Sequence, residues 1–332
     1  VAPPKPAAPP KPVQPREDVV HLDDFLETAA PVSPALGEDH PEEAPVFVDV
    51  TTIQITAPGR KAAEKRPEAM ITLAPFKADY HYVLSEDNYS DGAEIITEGR
   101  FGNWLWVVLE GAVDVLRLSP EKEIPIIRLS EGSYVGFLAS VIRQSQVRTA
   151  TVRAVGDVCL GVLDMQLIHS EMAIRSKEFG NLMESLALRL NQVTDRVVDF
   201  RLGRGKLDRL VKEEKFLIKP GDEKTGLFKI VSGSADVVHI SNRKMLRLAT
   251  IGPGHYYGDF PFTDVGQEPS RAGIIGSADL KTELADRKKI GREFERIPAP
   301  LKKIYLHMLQ SLALTTQSAR KAAKEAAQEE AK

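Results

Sequence analysis

The sequence predicts a mainly β fold with flanking helices, in which one β unit is built twice. Three observations predict it. From residue 93 onward, short runs rich in Val, Ile, Leu and aromatics are broken by glycine or charged turns: AEIITEG, WLWVVLEGAVDVLRL, IPIIRLS, RTATVRAV and VCLGVLD. Such spacing marks a β-barrel or sandwich. Between about 165 and 210 the apolar period becomes that of a helix. Strand signals then return, and a fixed offset of 122 residues lays the second set on the first.

In chain order, residues 1–70 come first. Seven prolines fall within residues 1–15, and the region carries 7 basic and 12 acidic side chains. That composition favours extended backbone and builds no core, so a Pro-rich, mostly disordered N-terminal region is expected. Inside it, HLDDFLETA (21–29) sets Leu22, Phe25 and Leu26 on one helical face among acids, as a helix docking into a partner groove would. Order is expected near Met70 and by Ala93 at the latest.

The strand runs above follow. Phe179, Met183, Leu186, Leu190, Val193, Val197 and Phe200 then alternate spacings of four and three, a heptad seam that Gly203 and Gly205 end. The seam serves equally well to pair two chains in parallel or to cover the chain's own barrel. Further strands are read in 214–240, MLRLATIG and RAGIIGS, and a last helix starts at Pro298 to Pro300. It presents Leu301, Ile304, Met308 and Leu312 on one face and fades into an Ala/Lys/Glu tail at 319–332.

At the offset of 122, Gly99 meets Gly221, Gly111 meets Gly233, Gly132 meets Gly254 and Gly136 meets Gly258. Trp106 meets Phe228, Asp114 meets Asp236 and Tyr134 meets Tyr256; one further residue brings Arg148 onto Arg271. Glycines matching at one offset indicate a duplicated domain, because tight turns and close approaches to a ligand both select glycine. Each copy ends in a glycine-bounded turn, an apolar run and an arginine. Backbone N–H groups at a helix start together with one guanidinium suit a phosphate.

Both copies resemble the cyclic-nucleotide-binding domain, with its phosphate-binding cassette of Gly-Glu-apolar-small followed by Arg-small-Ala-Thr-apolar. Here the first copy reads Gly136-Phe137-Leu138-Ala139 and Arg148-Thr149-Ala150-Thr151-Val152. The second reads Gly258-Asp259-Phe260-Pro261-Phe262 and Arg271-Ala272-Gly273-Ile274-Ile275. The resemblance implies two tandem jelly-roll (double-stranded β-helix) barrels with capping and linking helices. The first domain is expected over 71–200 and the second over 201–318. It also implies cAMP or cGMP as a regulatory ligand, held by Gly136, Phe137, Leu138, Arg148, Thr149 and Ala150 in copy one. In copy two the set is Gly258, Asp259, Phe260, Arg271 and Ala272. No other cofactor is implied.

By the resemblance, the arginine pairs with the phosphate and the cassette glutamate accepts from the ribose 2′-hydroxyl. Phe137 cannot accept that bond, and an unpaired buried hydroxyl costs roughly 1–3 kcal/mol. Asp259 keeps a carboxylate one methylene short, a gap that water bridges. Gly273 and Ile274 replace the pair that copy one keeps as Ala150-Thr151, and Pro261 removes an N–H from the turn. Thr149 resembles the choice of cGMP-tolerant sites and Ala272 the cAMP-type choice. Phe200 and Tyr305 are candidate stacking residues for the base, with core packing as the alternative.

Composition bounds the function classes. With 44 basic against 47 acidic side chains the net charge is −3, so no broad basic face for nucleic acid is expected. No apolar run reaches membrane-helix length, and no basic stretch precedes an apolar one at the N-terminus. The lone Cys159 fits a reducing, cytoplasmic setting and reads as a small buried apolar residue. The chain opens on Val1, as a trimmed sequence would. Gly59-Arg60-Lys61-Ala62-Ala63-Glu64 has the paired basics of a kinase-inhibitor segment but a Glu where an apolar residue belongs. Neither a DNA-binding nor a kinase domain is read. No metal-ligand spacing, Ser/His/Asp set or Walker pattern appears, so no enzyme is expected. The expectation is a non-enzymatic cyclic nucleotide sensor that signals to a protein partner, through the Pro-rich arm or the helices at 165–210 and 300–320, or pairs as a homodimer. A tandem scaffold that no longer binds nucleotide is the alternative.

Overall fold

The structure, a computed structural model, describes residues 70–73, 80–138, 146–209, 216–220, 222, 226–241, 244–261 and 272–329. The docking-helix reading at 21–29, the basic segment at 59–64, cassette residues 139–145 and Arg271 lie outside the described residues.

The first sheet has six strands. They are β1 (Val83–Tyr89), β2 (Glu94–Ile96), β3 (Trp106–Leu118), β4 (Glu123–Ser130), β5 (Tyr134–Val135) and β6 (Thr151–Leu163). The order is β1-β6-β3-β4, with β2 on β6 and β5 on β3, all antiparallel. Val107, Val113, Val152 and Leu160 of β3 and β6 are core residues, and the end of the β3–β6 pair where Trp106–Leu109 meets Leu160–Leu163 is buried throughout. β1 is absent from the sequence reading because its residues, VLSEDNY, are mostly polar and exposed. Among the described residues it pairs along one edge, to β6, and backbone bonding rather than burial fixes it.

Two helices follow. α1 (Met165–Ala173) starts on Asp164, whose side chain accepts from Leu167 N. α2 (Lys177–Arg201) starts on Ser176, which accepts from Phe179 N. The helix read from the heptad spacing is α2, and Gly203 at φ +67° lies just past its end; the wider 165–210 stretch also holds the separate α1, the two divided at Ile174 to Ser176. Every seam residue from Phe179 to Phe200 is buried within this one chain.

A second series of strands then comprises β7 (Asp208–Arg209), β8 (Phe216–Ile218), β9 (Leu227–Ser232), β10 (Ala235–Ser241), β11 (Lys244–Ile251), β12 (Tyr256–Gly258), β13 (Gly273–Gly276) and β14 (Lys281–Leu284). They form a sheet β7-β11-β10-β13-β8 and a sheet β12-β9-β14. The pattern of the first series recurs. Gly132 N donates to Val108 O and Val108 N to Ser133 O, while Gly254 N donates to Ile230 O and Ile230 N to His255 O. Gly132 and Gly254 have φ of +80° and +89°. The unbroken β3 and β6 of the first series are each represented by two shorter strands in the second.

α3 (Arg287–Arg296) escapes the sequence reading, although Asp286 caps it by accepting from Lys289 N, and Ile290 and Phe294 bury one face. α4 (Ala299–Glu329) packs along α2 and corrects the reading of a tail after 318. Its last turns bury Ala319, Ala322 and Ala323, small side chains that let the helix lie close to its neighbours. Together α2 and α4 span both strand series. Gln192 exchanges two hydrogen bonds with the Thr250 backbone, Tyr256 N donates to Ser185 Oγ at 2.7 Å, and Ser318 Oγ donates to Ile126 O at 3.0 Å. No described helix is long and apolar enough to cross a membrane.

Candidate functional site

Arg148 sits at the floor of a cavity of about 80 Å³ under α2 and α4. It is only 6% exposed. Its backbone is clamped to Gly99 and Arg100 through Gly99 N to Arg148 O and Arg148 N to Arg100 O, both 2.8 Å. Its Nη1 donates to Gly136 O at 3.0 Å and its Nη2 to Trp104 O at 2.8 Å, and its guanidinium carbon lies 5.5 Å from the Trp106 ring centre. No carboxylate pairs with it among the described residues. Burial alone lowers its pKa from the ordinary value. A desolvated cation that meets only carbonyls and a ring face attracts an anion strongly.

Two glycines make the room. At Gly136 φ is +93° and a Cβ would stand 2.7 Å from Arg148 Nη1 and 2.8 Å from Trp104 O. At Gly102 a Cβ would meet Arg148 Nε at 3.0 Å. Thr149, Ala150 and Leu138 line the same cavity.

Phe137 also lines it, but its ring is 6% exposed and meets the His307 ring edge-on at 5.2 Å. His307 is wholly buried, also touches Tyr134, and is driven to a pKa of about 3 by loss of solvent. The roof carries polar groups that sequence reasoning missed: Asn191 and Thr194 from α2, Ser311 and Thr315 from α4. Thr194 donates back to Leu190 O, whereas the fully buried Thr315 hydroxyl has no hydrogen-bond partner among the described residues. Helical spacing alone reads such residues as helix interior. The only available signal is polar residues on the otherwise apolar face of α4.

The described part of the second cassette packs against the chain's own elements. Gly258 has φ +99°, and a Cβ there would fall 2.1 Å from Gly226 O. Asp259 accepts from Gly226 N at 3.3 Å and faces Arg287 Nη1 at 3.4 Å. Phe260 is 1% exposed beneath the guanidinium of Arg189, which reaches over from α2 at 5.5 Å. Pro261 O accepts from Tyr305 Oη at 3.1 Å, and Ala272 is buried. Among the described residues, Gly258 and Asp259 thus pack against Gly226 and Arg287, and Phe260 and Pro261 against α2 and α4. Neither Phe200 nor Tyr305 lines the Arg148 cavity; both are core residues, Tyr305 packed between Phe179 and Phe294. Among the described residues, no group of His, Cys, Asp and Glu is placed to hold a metal ion.

Residues 86–174 match the cyclic nucleotide-binding domain family. The chain is 27% identical over 243 residues to cGMP-dependent protein kinase egl-4 of Caenorhabditis briggsae, covering 64% of this chain and 30% of that kinase. It is 25% identical over 182 residues to cGMP-dependent protein kinase 2 of Rattus norvegicus, covering 52% and 22%. The chain thus spans less than a third of the curated relatives it matches. Among solved structures, the regulatory domain of Toxoplasma gondii PKA with cAMP is 18% identical, with 66% of this chain and 84% of that chain covered and a TM-score of 0.26.

Proposed function

We propose that the chain is a non-enzymatic sensor that binds cAMP or cGMP at the Arg148 cavity and passes binding to a protein partner through α2 and α4. The observation that carries this reading is the buried Arg148 guanidinium, held on the Gly136 and Trp104 carbonyls with no carboxylate beside it among the described residues. The family match over 86–174 and the cGMP-dependent kinases among the relatives support the ligand class. In this reading the chain is a tandem of two jelly-roll domains, 71–200 and 201–318. The first binds; the second serves as a platform for the helix pair.

A nucleotide pocket commonly measures roughly 300 Å³ or more, against about 80 Å³ here. In this reading ligand entry moves the roof, with the Phe137–His307 contact the one that parts. Binding would select the arrangement with α4 displaced, which is how occupancy reaches a partner. A fluorescent cyclic nucleotide titrated into the full chain tests this. Saturable binding that unlabelled cAMP or cGMP displaces, weakened about 10- to 100-fold in Arg148→Ala, is the expected result; binding indifferent to Arg148→Ala sinks the reading.

The same Phe137–His307 plug, together with the engagement of Asp259 by Arg287, favours a second reading: a tandem scaffold that has lost its ligand. Assembly with a partner in nucleotide-free buffer, unchanged by added nucleotide, distinguishes it.

A further inference from the structure

One turn further along the same two helices lies a second cavity, of about 230 Å³. Its floor is apolar, formed by Ile71, Ile124 and Val197, and three cations stand around it: Lys122, Arg201 and Lys321. The acids nearby are already engaged. Glu123 is held on both oxygens by the two terminal nitrogens of Arg153, at 2.6 Å each. Glu325 serves both Arg201, at 2.9 Å, and Lys321, at 3.9 Å. Lys122 makes no ion pair among the described residues. Arg201 Nε is buried and has no hydrogen-bond partner among the described residues.

We propose that this cavity is a binding site for a small organic phosphate, its phosphoryl oxygens on Arg201, Lys122 and Lys321 and a short apolar body on the Ile71, Ile124 and Val197 floor. Glu123 also lines the cavity, so Lys122, Arg201, Lys321 and Arg153 stand against Glu123 and Glu325, an excess of two positive charges, which matches a phosphate dianion better than a carboxylate. The cavity, of about 230 Å³, has room for a phosphate carrying a short alkyl chain. Ile126 lines both this cavity and the one around Arg148. The two sites are therefore adjacent under one helical roof and still use different cations.

Calorimetric titration of the full chain with n-hexyl phosphate tests the site, with inorganic phosphate, hexanoate and hexanol as comparison ligands. The expected result is saturable binding of hexyl phosphate, with inorganic phosphate and hexanoate each about tenfold weaker and hexanol weaker still. Arg201→Gln and Lys122→Gln are each expected to weaken it about fivefold or more, and Lys122, being exposed, can be changed without threatening the fold. Arg148→Ala is expected to leave it within about twofold. The proposal is overturned by the absence of saturable binding at about 10 mM, by wild-type affinity in both Arg201→Gln and Lys122→Gln, by hexanoate binding as tightly as hexyl phosphate, or by loss of binding in Arg148→Ala.

Discussion

At the scale of single residues, the site depends on backbone that only glycine adopts. Gly136→Ala places a Cβ at positive φ and 2.7 Å from Arg148 Nη1, whereas Gly156, at φ +70°, has nothing within 4 Å of its would-be Cβ. Alanine at Gly156 is expected to cost about 1–2 kcal/mol in urea unfolding, the left-handed penalty alone. Alanine at Gly136 is expected to cost more and to abolish nucleotide binding; equal costs would show that the contact with Arg148 is absent. His307 supplies a pH prediction. Its folded pKa is near 3 against about 6.5 unfolded, so the unfolded chain binds a proton that the native one refuses. Above the unfolded value the group contributes nothing to pH dependence; as pH falls from about 6.5 toward 3 it removes up to about 1.4 kcal/mol of stability per pH unit. His239, lowered to about 4 mainly by burial, acts in the same sense. His307→Phe should flatten the acid limb of a stability-versus-pH curve by that slope, and an unchanged limb would show that His307 is not buried neutral. The arginine and the cassette glycines are legible in sequence because each has one physical demand, charge or positive φ. Thr315 is not legible, since a threonine inside a helix gives no sign of which cavity it faces.

At the scale of elements, helix α4 is where structure and sequence pattern part most clearly. Leu301, Ile304, Met308 and Leu312 announce its first half by periodicity. The second half, rich in Ala, Lys and Glu, reads as a solvated tail because alanine carries almost no hydrophobic signal. Alanine is nonetheless the strongest helix former, and its small side chain allows close packing. Ala319, Ala322 and Ala323 are buried there, and Ser318 reaches the β4 backbone. Truncating the chain after residue 318 should therefore lower the melting temperature by several degrees, since a loss of about 1 kcal/mol shifts it by about 2–4 °C in a chain of this size. A truncated chain that melts like the full one would restore the reading of a mere tail. β1 and α3 escaped notice for opposite reasons, the first being a polar edge strand and the second a short amphipathic turn with only two apolar anchors. The heptad seam is plain in sequence, but what covers it is not. A period of three and four states that a face is apolar, and only the fold shows that α4 and the strands of the same chain fill it.

At the scale of the whole molecule, the helix pair joins two strand series that use similar turns for different ends. Around Arg148 the glycine turn and the arginine frame a cavity; around Phe260 the corresponding turn is packed against Arg189, Tyr305 and Arg287. If nucleotide enters the first by lifting the roof, amide hydrogens of α4 near Ser311 and Thr315 should exchange faster in the bound state, while those of β3 and β6 stay protected. Uniform protection of α4 on binding would argue instead for a ligand that fits beneath an unmoved roof. The central claim is that one cyclic nucleotide binds per chain, at Arg148. Calorimetric titration of the full chain with cAMP and cGMP, beside Arg148→Ala, measures it directly: the account predicts a stoichiometry of about one and its loss in the variant, and it is contradicted by two equivalent sites, by no heat at all, or by an isotherm that Arg148→Ala leaves unchanged.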